Sequence, residues 1–280
     1  MTANRPLNDA EALAALEWYR AVGVDAAVGE EPIDRFAQSQ APLRRPAASP
    51  AGGVAAAILE RAASAPLPIR DTPDLVANAD PSETRALAAG AKTLDELRAV
   101  MDAYDGCVLK KRATQLCFAD GNGEAEIMLV GEGPGADEDR IGKPFVGRAG
   151  QLLDKMLAAI GLDRTKVFIA NMVPWRPPGN REPTPEELAL CTPFLHRQIE
   201  LVAPKILVTL GNVPTQALFG TKSGITRMRG QWRTIEVNGH AMDAMPTLHP
   251  AYLLRQPAAK AQAWRDMLAL KVTMRRLGIG

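Results

Sequence analysis

Cysteine is scarce in this 280-residue chain: Cys107, Cys117 and Cys191 are the only three. No two are spaced Cys-x-x-Cys and their number is odd, which argues against a disulfide framework and for buried free thiols in a reducing compartment. Long apolar runs are also missing. Without a stretch of about 18 apolar residues, no membrane span is expected. Met1 to Asn8 has no charged start followed by an apolar core, so no secretory signal is read and the expected location is cytoplasmic. An excess of either charge is absent too, with 33 Lys and Arg against 32 Asp and Glu. A net charge of +1 gives the whole molecule no attraction for nucleic acid, so any DNA contact must come from a local patch. Finally, the one Gly-rich acidic loop lacks both phosphate signatures. Gly131 and Gly133 are followed by Ala136 rather than by the third glycine of a dinucleotide fingerprint, and no Gly-Lys-Ser/Thr occurs. Its acidic cluster would repel a pyrophosphate.

What is present suits one good-sized domain with an appendage. Hydrophobic residues make up 46% of the chain, enough for a real core. The composition changes near residue 92, so residues 1–92 read as an N-terminal extension and 93–280 as the functional domain. Within the extension, residues 9–21 carry Ala, Leu and Trp at helical spacing. Gln38 to about Pro81 is an Ala/Pro/Ser-rich linker with one Ala-rich helix around Val54 to Ala63. From Thr93 the pattern is regular, and Thr93-Leu94-Asp95-Glu96 resembles a capping box. Strands are expected at 126–130, 167–171, 205–210 and 242–247, and helices at 149–160, 185–201, 212–219 and 258–275. This alternation predicts a three-layer α/β/α sandwich with a mainly parallel central sheet. No internal repeat is visible.

Three segments carry chemistry. Gly131-Glu132-Gly133-Pro134-Gly135, running on through the acids Asp137, Glu138 and Asp139 to Pro144-Phe145-Val146-Gly147, lies where a strand ends and a helix begins. That is the usual ligand position in an open α/β sheet. Asn171 ends the apolar run Val167-Phe168-Ile169-Ala170, and its amide offers both a donor and an acceptor. His249-Pro250-Ala251-Tyr252-Leu253-Leu254-Arg255 follows the last strand. Taken singly, Glu132 reads as a loop acid, Phe145 as a core plug, Asn171 as a turn residue and His249-Pro250 as a helix start.

Together these residues resemble family 4 of the uracil-DNA glycosylase superfamily over roughly residues 93–275, including Pro177-Pro178-Gly179-Asn180-Arg181 and Arg229-Gly230. The resemblance implies an enzyme that flips uracil out of DNA, hydrolyses its N-glycosidic bond and leaves an abasic site. Uracil-containing and abasic-site DNA would be its partners, and the protein would act as a monomer. Glu132 and His249 would be catalytic. Glu132 would orient water near C1′, and His249 would donate to the uracil oxygen on which charge develops. Gly133, Phe145 and Asn171 would bind the base, with uracil stacked on Phe145 and read by Asn171. Tyr252, Leu253 and Leu254 would wedge into the minor groove, beside Arg255. Arg176, Asn180, Arg181, Lys205, Arg255, Lys260 and Arg265 are the available phosphate contacts, although solvated surface is the ordinary place for each.

The departures from the family are informative. Its members bind a 4Fe–4S cluster through four cysteines, and only Cys107 and Cys191 match here. Tyr104 and Trp175 occupy the other two positions, and Cys117 falls where an apolar residue is usual. No cofactor is therefore expected. A related group that links covalently to DNA carries a basic insertion ending in His after the Asn-bearing strand. Between Asn171 and Thr184 this chain has neither. The reading from a different class is a non-catalytic binder of uracil or abasic DNA that uses the same pocket.

Overall fold

Four fully buried runs, Ile127–Gly131 (β2), Phe168–Asn171 (β3), Ile206–Leu210 (β4) and the end of His240–Thr247 (β6), build the centre of a parallel sheet. Strands covered on both faces read as continuous apolar stretches, which is why the sequence locates them. The computed structural model describes residues 80–279; the helices expected at 9–21 and 54–63, and the linker around them, lie outside the described residues.

The strand order is β1-β3-β2-β4-β6-β5. β3, β2, β4 and β6 run parallel, while the short edge strands Asp120–Gly121 (β1) and Arg233–Val237 (β5) pair antiparallel with β3 and β6. Neither edge strand was foreseen. β1 is two residues long and β5 is mostly exposed, so neither has an apolar run to betray it. β5 turns into β6 through Asn238 and Gly239, with φ of 50° and 83°. This is the left-handed pair that a tight two-residue hairpin requires.

Side chains alternate across the sheet. Ile127 and Leu129 of β2 face one side with Leu153 and Leu157 of helix Arg148–Ala159 (α4) and Met267, Leu270 and Met274 of helix Lys260–Leu277 (α9). Met128 and Val130 face the other, with Leu195, Ile199 and Val202 of helix Pro185–Val202 (α5) and Val213 of helix Asn212–Phe219 (α6). The result is the three-layer α/β/α arrangement expected. The start of α5 is specified locally. Thr184 caps it and Glu187 answers in a capping box, with Pro185 in the first turn.

Helix Pro81–Gly90 (α1) falls inside the stretch read as an N-terminal extension, just past its linker, yet it packs on α5 and buries Thr84 and Ala88. Arg197 of α5 donates from Nε (2.8 Å) and Nη2 (2.6 Å) to the Ala91 carbonyl. The packed unit therefore begins before residue 93. Helix Leu94–Ala103 (α2) follows, with Thr93 Oγ1 accepting from the Glu96 amide at 3.1 Å. Two short helices, Ala136–Ile141 (α3) and Pro250–Arg255 (α8), border the site described next, and a third, Ile225–Met228 (α7), precedes β5.

Candidate active site

The carboxyl ends of β2, β3, β4 and β6 open together onto a cavity of about 590 Å³. The register forces this. Gly131 pairs with Asn171 and Leu210 with Thr247, so the next residues of each strand emerge side by side. Past the sheet proper, Met172 and Val173 donate to the carbonyls of Gly131 (2.9 Å) and Glu132 (3.1 Å), while the Gly211 amide donates to Thr247 (2.9 Å). Glu132 and Asn171 are thereby held by the backbone ladder, and His249 follows two residues after the Thr247 that Gly211 ties down. Crevices of this kind, where the strand order reverses, are the usual ligand sites of open α/β sheets.

Six of the eight residues expected to form the site, Glu132, Gly133, Phe145, Asn171, His249 and Tyr252, line this cavity, and Arg255 makes a seventh. Leu253 does not. It is 1% exposed and packs with Leu248, Ala259 and Ala263, because the helical turn of α8 points it inward. Its neighbours Tyr252 and Leu254 are the exposed members, at 38% and 36%. Lys205 has the solvated place that is ordinary for it rather than one beside the cavity. It sits at the start of β4, the end away from the cavity, and pairs with Glu126. Arg181 borders the cavity, but its guanidinium is engaged by Glu187 through Nη1 (2.8 Å) and Nη2 (2.6 Å), bracing the mouth against α5. Arg176 donates to Asn180 Oδ1 at 2.7 Å.

The amide of Asn171 is buried, and its Oδ1 has no hydrogen-bond partner. An orphaned buried acceptor costs about 1–3 kcal/mol, which a ligand carrying an N–H would recover. Gly131 lies directly beneath. A Cβ there would come within 2.5 Å of Asn171 Oδ1 and 2.6 Å of Phe145 Cζ, so only glycine lets the amide and the ring converge. The Phe145 and His249 rings sit 5.5 Å apart, tilted by 31°. Phe145 holds φ at 55°, a left-handed backbone that costs a non-glycine residue roughly 1–2 kcal/mol.

His249 is the N-cap of α8, and its Nδ1 accepts from the Ala251 amide at 3.1 Å. Burial, helped by the Arg255 charge, lowers its pKa to about 4, so the ring is neutral at ordinary pH. A neutral imidazole whose Nδ1 accepts carries its proton on Nε2, and the cavity therefore receives a fixed N–H donor. Glu132 is shifted the other way. Burial and then the Glu182 charge raise its pKa, against the opposing Arg255.

The acids after Glu132 have structural work that the sequence did not reveal. Glu138 accepts from Gly135 N (3.1 Å) and Gly147 N (2.8 Å), tying together the loops that flank Phe145. Asp139 is buried and accepts from Thr114 N and Oγ1, both at 2.8 Å.

The four positions that would hold an iron–sulfur cluster lie apart from this cavity, in a separate apolar cluster containing Tyr104, Cys107, Trp175, Cys191 and Phe194. Tyr104 packs edge-on against Phe194 with centroids 5.5 Å apart, and Trp175 is among the largest fully buried side chains. The two aromatics occupy volume that a cluster would need, and burial raises the Tyr104 hydroxyl to about 12, so it is no anionic ligand. The hydrogen bond with Cys107, and then burial, hold Cys191 as a thiol. Among the described residues no group of three His, Cys, Asp or Glu is placed to hold a metal ion. These residues do not fit the cluster. Among the same residues no helix is long and apolar enough to cross a membrane.

Comparison with known proteins agrees with this geometry. Residues 118–268 match the family model described as the uracil DNA glycosylase superfamily. The type-4 uracil-DNA glycosylase of Sulfurisphaera tokodaii is 37% identical over 195 residues, covering 67% of this chain and 89% of that protein. That of Archaeoglobus fulgidus is 39% identical over 179 residues, 62% of this chain and 90% of its own. That of Thermotoga maritima is 45% identical over 150 residues, 53% and 77% respectively. With the matched segment spanning the whole cavity-forming end of the sheet, this chain belongs to the uracil-DNA glycosylase superfamily.

Proposed function

We propose that the protein is a monofunctional uracil-DNA glycosylase of DNA repair, which hydrolyses the N-glycosidic bond of uracil in DNA and leaves an abasic site. The observation that carries this reading is the unpartnered Oδ1 of the buried Asn171, which converges with the Phe145 ring over Gly131 in a cavity that a neutral His249 also lines. Uracil N3–H supplies the donor that Asn171 Oδ1 lacks, and the amide N–H meets uracil O4. Cytosine presents the reversed pattern. The flipped base stacks on Phe145, a contact worth about 1–3 kcal/mol.

As the C1′–N1 bond lengthens, positive charge grows on the sugar and negative charge on the departing base. The Nε2–H of His249 donates to uracil O2, so the electron pair of the broken bond leaves with the base. Glu132, on the cavity wall, orients a water towards C1′ with its carboxylate and takes the proton that the water loses on attack. Tyr252 and Leu254, rather than Leu253, are the apolar side chains available to fill the space vacated in the duplex. The tyrosine and tryptophan at two cluster positions support a protein that works without iron and sulfide.

A uracil-containing oligonucleotide, incubated with the protein and heated in alkali, tests the activity. Scission at the uracil is expected; a gel shift without scission would mean binding alone. Asn171→Asp tests the base reading, because the donor to O4 becomes an acceptor. Uracil excision should weaken and cytosine gain, whereas an unchanged rate and base preference would remove Asn171 from recognition.

A further inference from the structure

A stacking platform discriminates between bases only if its ring cannot drift. Phe145 occupies the loop between α3 and α4, in a backbone conformation that its side chain does not favour. Something outside the loop must hold it there.

We propose that Arg164, which precedes β3 and is absent from the cavity wall, is a positioning residue for uracil excision, acting through Phe145. This inference rests on the reading of Phe145 as the platform for the base. The guanidinium lies behind the loop. Its Nη1 donates to the Pro144 carbonyl at 3.2 Å, and its Nη2 donates to the Phe145 carbonyl. The rest of the fork is anchored from two other parts of the chain. Nη1 meets Asp120 Oδ2 at 2.7 Å and Nε meets Asp154 Oδ1 at 2.8 Å. With both carboxylates neutralising it and its donors turned to the loop, this cation is committed inward rather than to DNA phosphates.

The opposite side of the Phe145 carbonyl is equally confined. A Cβ on Gly150 would lie 1.6 Å from that oxygen, so the carbonyl passes between the bare Gly150 Cα and the guanidinium. Two residues on, the Gly147 amide is held by Glu138. The 144–147 peptide is thus gripped by an arginine through its carbonyls and by a glutamate through its amide. Only a planar fork serves two successive carbonyls and two carboxylates at once; a lysine ammonium does not.

The test is a double-mutant cycle on the full-length protein. Arg164→Ala, Arg164→Lys, Phe145→Ala and the Phe145→Ala combinations are compared by thermal unfolding and by single-turnover excision from a uracil oligonucleotide over a range of enzyme concentrations. Arg164→Lys keeps a cation beside Asp120 and Asp154 and is the variant expected to stay folded should Arg164→Ala not. It should lower the saturating rate by about 10–100-fold, the cost of an ångström-scale misplacement, and change half-saturation less. With Phe145→Ala already present, replacing Arg164 should change the rate by less than about threefold. A wild-type rate in Arg164→Lys overturns the proposal. So does an equal loss with and without Phe145, which would make the arginine a general brace of the fold. A wild-type rate in Phe145→Ala removes the platform itself, a failure visible before Arg164 is touched.

Discussion

Replacing His249 separates two jobs that one ring performs. Its Nδ1 caps α8 through the Ala251 amide, and its Nε2–H is the donor aimed at the cavity. His249→Ala removes both. Loss of the cap costs about 0.5–2 kcal/mol of stability. Loss of a preorganised donor to a developing anion costs about 2.7–4 kcal/mol in the transition state, or roughly 100- to 1000-fold in rate. His249→Ser divides these effects, since a serine hydroxyl caps the helix but is too short to reach the base. Single-turnover excision should therefore fall by roughly 100- to 1000-fold in both variants, while the unfolding midpoint drops clearly only in the alanine variant. Affinity for uracil-DNA should change by less than about tenfold, because the donor acts mainly as the bond breaks. A 5-fluorouracil target, whose anion is more stable, should restore part of the lost rate. The pH profile gives an independent check. With a pKa of about 4 the ring is already neutral above that value, so wild-type excision should show no inflection from His249 near its ordinary 6.5. A serine variant with wild-type rate, or an activity lost on raising the pH through 6.5, would refute the assignment of a neutral donor.

Other outcomes can be set beside this one. The Glu132 carboxyl titrates above its ordinary range, so the excision rate should fall as the pH drops through that raised value. Glu132→Gln should abolish this limb, and since the fold disfavours the ionised form, it should also raise the unfolding midpoint at neutral pH; an acid limb that survives the substitution would assign it to another group. Protein purified without oxygen should contain no stoichiometric iron or sulfide and show no broad brown absorbance, and finding either would defeat the reading of Tyr104 and Trp175 as fillers of the vacated volume. Removing residues 1–79 should leave an active domain. Removing 1–92 deletes α1 and the Ala91 acceptor of Arg197, a loss of about 1.5–3 kcal/mol, so the midpoint should fall by roughly 3–12 °C relative to the shorter deletion. Equal midpoints would show that α1 contributes nothing.

Much of this site was legible because it sits on strand ends. Buried parallel strands announce themselves as apolar runs, and ligands bind at the ends of such runs in an α/β sheet, so the segments holding Glu132, Asn171 and His249 stood out; taken singly each had an ordinary structural reading, and only the family resemblance gave them roles. What escaped was whatever depends on partners distant in sequence. Asp163-Arg164-Thr165-Lys166 looks like a solvated charged turn, yet Arg164 joins residues 120, 144, 145 and 154. Glu138 looked like one more acid in a cluster, and only the path of the 142–147 loop brings Gly147 to it. Leu253 was misjudged for the opposite reason: the wedge motif was read as a string, whereas the helical turn of α8 puts Pro250 and Leu253, three residues apart, on the core side and leaves Tyr252 and Leu254 outside. α1 escaped because its Ala-rich composition matches that of the linker before it.

The hairpin at Asn238–Gly239 gives the domain a rear entrance for engineering. β6 begins there, runs eight residues to Thr247 and leads into His249 two residues further on. At a rise of about 3.3 Å per residue, the turn lies roughly 25 Å from the chemistry. A foreign module or surface tether replacing the turn residues would attach at the tip of the β5–β6 hairpin, at the end of the sheet away from the cavity. It would leave the mouth of the cavity facing outward, so the enzyme could be anchored by its back with the face that meets DNA unobstructed.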